Sequence, residues 1–346
     1  MPVSLNPFEN LLLMKLNMTP GPILDFFGGA SFYAINAALR LGIFETLSHK
    51  PLTVAELANQ VQASETGTTI LMNALESLGY VEKKRDTFCN SKMTRKWMTF
   101  GSTVNINLGF EYYFPVMNEL WPYLYESIKK GEPNTNFYLW LSRNPETANL
   151  YQKFMMTLAG LFIPDMIKRL RLPNKCRNLI DIGGGHALYS IALCRKYRDL
   201  QVTIFDSPYA KPIALENIGN TDVQNQIRFI EGDYMNDDIG TAYDAALLCN
   251  VIHEHTPEKN LQLLDRIYYS ISDNGCVIIL DNSQNIRISK AADYITNMFS
   301  LLYFLSLGGR NYSFKEISGW FKDSGYRKIK KATLGLSGLS LVTGYK

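Results

Sequence analysis

The stretch LIDIGGGHALYSIAL, Leu179 to Leu193, passes from a short apolar segment through three consecutive glycines into a helix-like pattern. Without Cβ atoms, such a run lets a backbone approach a ligand or a neighbouring segment closely. A dinucleotide turn of the form G-x-G-x-x-G needs a glycine at its sixth position, where helix packs on strand. Counting from Gly183, that position is Leu188. The loop is a poor match to a nicotinamide or flavin site, and a plain structural turn is the alternative.

Segments on either side narrow the choice. NLIDIG, VTIFD, IRFIEGD, AALLCN and CVIILD are short β-like runs separated by helical patterns, from Asn178 onward. Strands alternating with helices predict a parallel sheet with crossover helices, an α/β Rossmann-like domain. The tail, YRKIKKATLGLSGLSLVTGYK, reads as a terminal antiparallel hairpin at one sheet edge. Asp206 closes the second run, where a carboxylate can accept from both hydroxyls of a ribose. Asp233 follows the third, where it can accept from an adenine amino group, with Tyr234 beside it to pack on the ring. Ligands of open α/β sheets bind at the carboxyl ends of the strands. Three features in register there fit a ribose–adenine ligand.

The remainder of the 346 residues fits two further segments, since domains run to about 100–200 residues. Residues 1–104 alternate short helical patterns with turns. A run from Gly28 to Leu47 stops at Gly42, and PLTVAELANQV opens on a capping box, Thr53 with Glu56. A third helix covers about Glu65 to Leu78, and YVEKKRDTFCNS forms a two-stranded wing. This winged helix holds no Lys or Arg between Lys50 and Lys83. Phosphate contacts need cations and base readout leans on Arg, so packing or dimerisation is expected there and nucleic acid is not. Residues 105–172 read as connecting helices rich in aromatics and methionine, and PNK at Pro173 marks the start of the sheet domain, 173–346.

Composition agrees with a globular protein: 46% apolar residues, 19% charged, and a net charge of +3. Five scattered cysteines without a CxxC pair imply free thiols in a reducing compartment, hence a cytoplasmic protein. No segment reads as a signal peptide or membrane span.

With DIGGGHA, FD, GDYM and NVIHE on the page, the chain resembles the small-molecule O-methyltransferases that use S-adenosylmethionine, the family of caffeate and hydroxyindole methyltransferases. The resemblance covers nearly the whole length. It implies that Asp181 and Gly183, Gly184 and Gly185 lie against the methionine part of the cofactor. Asp206, Asp233 and Tyr234 then take ribose and adenine, with Cys249 and Asn250 completing the set. The family's loop often reads GGGTG, so His186-Ala187 departs from it.

LLCNVIHEHTPEKNLQLL follows the fourth run, and Thr256-Pro257 is a good helix start, which leaves His253 in the loop. A phenol of pKa about 10 is mostly neutral at pH 7, whereas an imidazole near about 6.5 is largely an available base. The resemblance places the family's catalytic histidine at His253, and an orienting carboxylate at Asp281. Its second acidic residue falls at Asn311, within GGRNYS. An amide can orient an imidazole but cannot stabilise an imidazolium as an anion does. That departure leaves room for more acidic acceptors and for carbon or nitrogen acceptors. No metal is expected, because His253, Glu254 and His255 are adjacent and only His49 and His186 remain.

The resemblance also assigns acceptor contacts to Phe154, Met155, Phe162, Met298, Phe299 and Tyr303, against a core role that apolar residues at helical spacing commonly have. Together they imply a small, largely apolar acceptor, aromatic or of secondary metabolism. The family further implies a homodimer through the N-terminal domain, with a partner chain able to line one wall. Two other readings are a non-methylating enzyme that keeps the cofactor site and a winged-helix sensor of S-adenosylmethionine. The missing cations oppose the sensor.

Overall fold

The computed structural model describes residues 6–16, 18, 22–101, 105–284, 290–335 and 339–346. The chain divides into two compact units, Met1–Phe114 and Pro115–Lys346. Residues 105–114, expected among the connecting helices, group with the first unit.

In the first unit, Gly42 adopts φ +69° between the helices Pro22–Arg40 and Ile43–His49, the break the sequence marks. The capping box forms as read: the Thr53 hydroxyl accepts from Glu56 N–H, and the Glu56 carboxylate accepts from Thr53 N–H at 2.8 Å. Helices Val54–Gln60 and Glu65–Ser77 follow. Strands β1 (Leu52–Thr53), β2 (Val81–Lys84) and β3 (Thr87–Asn90) pair in the order β1-β3-β2, which completes a winged helix. Ile43, Phe44, Leu57, Met72, Leu75 and Phe88 form its core.

The second unit is built on strands β4 (Asn178–Ile182), β5 (Gln201–Asp206), β6 (Ile227–Glu231), β7 (Tyr243–Cys249) and β8 (Ile271–Gln284), all parallel. A short β9 (Tyr312–Ser313) joins the end of β8. Strands β10 (Arg327–Thr333) and β11 (Leu339–Tyr345) form the expected antiparallel hairpin, with β11 against β8 and β10 at the open edge. The order is β10-β11-β8-β7-β4-β5-β6. Strands β4, β5 and β7 are buried almost throughout, which is why they read as continuous apolar runs.

The fifth run is longer than CVIILD. Strand β8 begins at Ile271, and its polar ISDNG stretch is carried through a register shift against β7, with Asn274 at φ +66°. From β4 the sheet grows one way to β5 and β6, then returns to β7 and β8 on the other side. The reversal opens a crevice beyond the carboxyl ends of β4 and β7, and both chemistry-bearing loops leave the sheet there.

No helix among the described residues is long and apolar enough to cross a membrane.

Candidate active site

The loop after β4 is held by its own glycines. Gly183 and Gly185 take φ +67° and +46°, and Gly183 N–H donates to the Phe205 carbonyl at 2.9 Å. A Cβ on Gly183 would lie 2.8 Å from Val251 Cγ2. One on Gly184 would lie 2.8 Å from the Asp181 carboxyl and 2.9 Å from Ile204 Cγ2. The close approach is thus first to the chain itself. His186 is buried, its imidazole lowered to about 4 by that burial, and its carbonyl accepts from Asn217 Nδ2. Ala187, at φ +67°, precedes the helix Leu188–Lys196.

Beneath the loop, fully buried Asp181 accepts from Ser190 Oγ at 2.5 Å through Oδ2, while its Oδ1 has no partner among the described residues. Burial pushes this carboxyl up to about 7; the Ser190 bond opposes the rise and the Asp206 charge adds to it. Because the folded value lies above the ordinary 3.8, the folded chain holds this proton more tightly. The stability it contributes is present below the ordinary value and is lost as pH rises through about 7. Melting scans of ligand-free Asp181→Asn should therefore lose less stability across that window than the unaltered chain. Equal losses would place the titrating group elsewhere.

Asp206, at the end of β5, accepts from Gly185 N–H at 2.8 Å and from Ser207 N–H at 2.6 Å. Its carboxyl is raised by burial, against those bonds. Asp233 is exposed, two residues past β6. It accepts from Met235 N–H and Asn236 Nδ2, so both oxygens also shape their own turn. Tyr234 packs toward the sheet, its hydroxyl 3.0 Å from His255 Nε2. Cys249 is buried at the end of β7, and Asn250 turns the chain at φ +58°.

Acceptor oxygens of Asp181 and Asp206 flank the glycine loop, an arrangement ill suited to an anionic pyrophosphate. A cation bearing hydroxyl and ammonium donors is favoured, and the unpartnered Asp181 Oδ1 is an acceptor in want of a donor. These residues fit S-adenosylmethionine.

The second loop, after β7, carries His253. The helix Pro257–Ser270 starts as read, with Thr256 capping Lys259 N–H, and leaves Ile252–Glu254 as a short helical turn before it. His253, 7% exposed, places Nδ1 2.8 Å from Asp281 Oδ1, and its backbone N–H donates to Asp281 Oδ2 at 3.3 Å. Burial alone would lower the imidazole's pKa. The Asp281 charge and hydrogen bond, with Glu254, outweigh it and leave the value raised. His253 Nε2 has no partner among the described residues. Beside it Glu254 accepts from the Tyr138 hydroxyl at 2.6 Å, and burial pushes its carboxyl up to about 7.

Asn311 does not join this pair. Its Nδ2 donates to the Thr296 carbonyl at 2.7 Å and its buried Oδ1 has no partner among the described residues, so no hydrogen bond reaches His253. Of the expected acceptor residues, Tyr303 stacks face to face on the His253 ring, and Phe299 stacks on Tyr303. Met155 and Met298 are half-buried on their helices and Phe154 is buried. Phe162 packs against the sheet core near Ala159 and Met166, the ordinary place for such a residue.

Two supports escaped the sequence reading. Ser190 holds Asp181 from the next helix. Gly309 packs its bare Cα on the backbone of His253 and Glu254, where a Cβ would meet Glu254 C at 2.7 Å. The GG of GGRNYS was the available signal.

Comparisons with known proteins identify the family. Residues 121–327 match the O-methyltransferase domain family, and residues 25–99 match the O-methyltransferase dimerisation domain. The chain is similar to the tetracenomycin polyketide synthesis 8-O-methyl transferase TcmO of Streptomyces glaucescens, 26% identical over 92% of this chain and 94% of that protein. It is similar to the L-tyrosine C(3)-methyltransferase of Streptomyces lavendulae, 26% identical over 75% of this chain and 73% of that one. In fold it is similar to human N-acetylserotonin methyltransferase in complex with S-adenosylmethionine. That match has a TM-score of 0.79 and 20% identity, over 94% of this chain and 96% of that one. The chain belongs to the S-adenosylmethionine-dependent O-methyltransferase family.

Proposed function

We propose that the protein moves a methyl group to a hydroxyl of a small, largely apolar acceptor, with His253 as general base. The observation that carries this reading is the 2.8 Å contact between His253 Nδ1 and Asp281 Oδ1, with Nε2 left open at the switch point of the sheet. S-adenosylmethionine, when bound, supplies an electrophilic methyl group on a sulfonium. The Gly183–Gly185 backbone, Asp181, Asp206, Asp233 and Tyr234 would hold it, with Cys249 and Asn250 nearby.

Asp281 accepts a hydrogen bond from Nδ1–H and so fixes the tautomer in which Nε2 carries the lone pair. Nε2 takes the acceptor's hydroxyl proton, and the acceptor oxygen becomes the nucleophile. The imidazolium that results is stabilised by its contact with Asp281. Met155, Met298, Phe299 and Phe154 offer the acceptor an apolar wall. The protein acts as a cytoplasmic homodimer through residues 1–104, with 105–172 helping to form the pocket and 173–346 holding the cofactor.

A second reading shares the same base. A phenolate is nucleophilic at oxygen and at its ortho carbon, and the similar Streptomyces lavendulae enzyme is named for a C(3) methylation of tyrosine. Deprotonation at Nε2 serves either outcome, so the acceptor's pose decides.

Two measurements test the proposal. Calorimetry should show S-adenosylhomocysteine binding, weakened by about 10- to 10²-fold in Asp206→Ala, the loss expected for hydrogen bonds to a charged group. Undiminished binding would remove Asp206 from the cofactor site. Incubation with methyl-labelled cofactor and a panel of hydroxylated aromatics should then yield methyl ethers. Ring-methylated products would select the second reading.

A further inference from the structure

Tyr303 lies where its ring can act on His253 itself. The two ring centroids are 3.9 Å apart with planes inclined by 15°, and Phe299 stacks behind Tyr303 at 5.9 Å and 17°. Tyr303 comes from the helix Lys290–Leu307, on a different element from either member of the His253–Asp281 pair. An aromatic ring carries negative charge on its faces, so a cation lying flat on one is attracted more than the neutral form. Burial strengthens the effect, and His253 is 7% exposed.

We infer that Tyr303 is a positioning residue that fixes the His253 ring plane and stabilises its imidazolium form. This rests on the reading of His253 as the base. Asp281 from β8 meets the ring's edge at Nδ1, while Tyr303 covers one face. The other titratable neighbours are Glu254 and His255 on the same loop. His255 is held to about 4, chiefly by burial, and is neutral near pH 7. Asn311 is neutral and turned to Thr296. The charge that appears when Nε2 takes a proton is thus met by Asp281 at the ring edge, by Glu254 beside it and by one aromatic face.

The test needs no acceptor. The imidazoles of histidine-labelled protein are titrated by NMR; the chain has four histidines, and His253 is assigned by its loss in His253→Asn. Tyr303→Leu should move the His253 midpoint to lower pH by about one unit, the size of a desolvated cation–ring contact. Tyr303→Phe keeps the ring face and should leave the midpoint in place. A Leu midpoint at or above the native one, or a Phe shift as large as that of Leu, overturns the inference. If the Leu variant does not fold, Tyr303→Trp decides, since the larger ring should hold the midpoint at or above native and a lower one overturns it. Because only the titration is read, failure of the methyl-transfer proposal would show separately, in the activity assay.

Discussion

Replacing His253 with asparagine is expected to lower kcat/KM by about 10²- to 10⁴-fold, the contribution of a positioned general base. Asparagine is the informative choice because its Nδ2 can stand near the place of the imidazole Nδ1. It can still donate to Asp281, which is 2% exposed and would otherwise lose its side-chain partner and keep only backbone N–H donors. Breaking a buried charged pair from one side commonly costs about 3–5 kcal/mol, so His253→Ala mixes lost chemistry with lost stability. The Asn variant removes only Nε2. Its melting temperature and its affinity for S-adenosylhomocysteine should stay near native while turnover collapses. Native turnover in both variants would end the general-base reading, leaving proximity as the means of catalysis.

The second large effect is expected at Gly309, which lies against the backbone of the His253 turn. An added Cβ would come within 2.8 Å of the His253 carbonyl carbon and 2.7 Å of that of Glu254, and closer still to the His253 oxygen. These are backbone atoms in a turn anchored at Asp281, so the turn itself must move. Overpacking of this kind costs about 1–3 kcal/mol. A misplacement of about 1 Å at a catalytic group can cost about 10²-fold in rate. Gly309→Ala should therefore lower kcat by about 10²-fold while cofactor affinity, set at β4 to β6, is kept. Gly319→Ala is the control: nothing lies within 4 Å of its would-be Cβ, in the helix Phe314–Asp323. Alanine there should be neutral or stabilising, by about 0.5–1 kcal/mol. Unchanged kcat in Gly309→Ala would show that the turn tolerates the shift.

What the sequence disclosed was local. The capping box at Thr53 and Glu56, the break at Gly42 and the start at Thr256-Pro257 each lie within one turn of chain. Neighbouring residues alone decide such features. The strand runs were legible because buried parallel strands read as unbroken apolar segments, and their carboxyl ends pointed to Asp206 and His253. The unread part depends on contacts between residues distant in the chain. Nothing near Tyr303 says that its ring meets His253, and nothing near Gly309 says that a backbone passes against it. Asn311 shows the reverse failure, since a motif position suggested a partner that packing gave to Thr296. The polar start of β8 was hidden because ISDNG carries turn residues, which the sheet accommodates by a shift in register.

The open edge at β10 has a bearing on how copies of this chain can associate. Arg327, Lys328, Lys330 and Lys331 put four cations into five consecutive positions of that strand. A second copy offering the same edge would bring like charges together across a strand spacing of about 4.8 Å, which opposes pairing. Lysine-rich edges are a common guard against sheet-to-sheet growth. The eight-stranded sheet is thereby closed to extension on that side by charge alone. Any association of copies is turned toward surfaces other than this edge, where contact need not repeat from copy to copy.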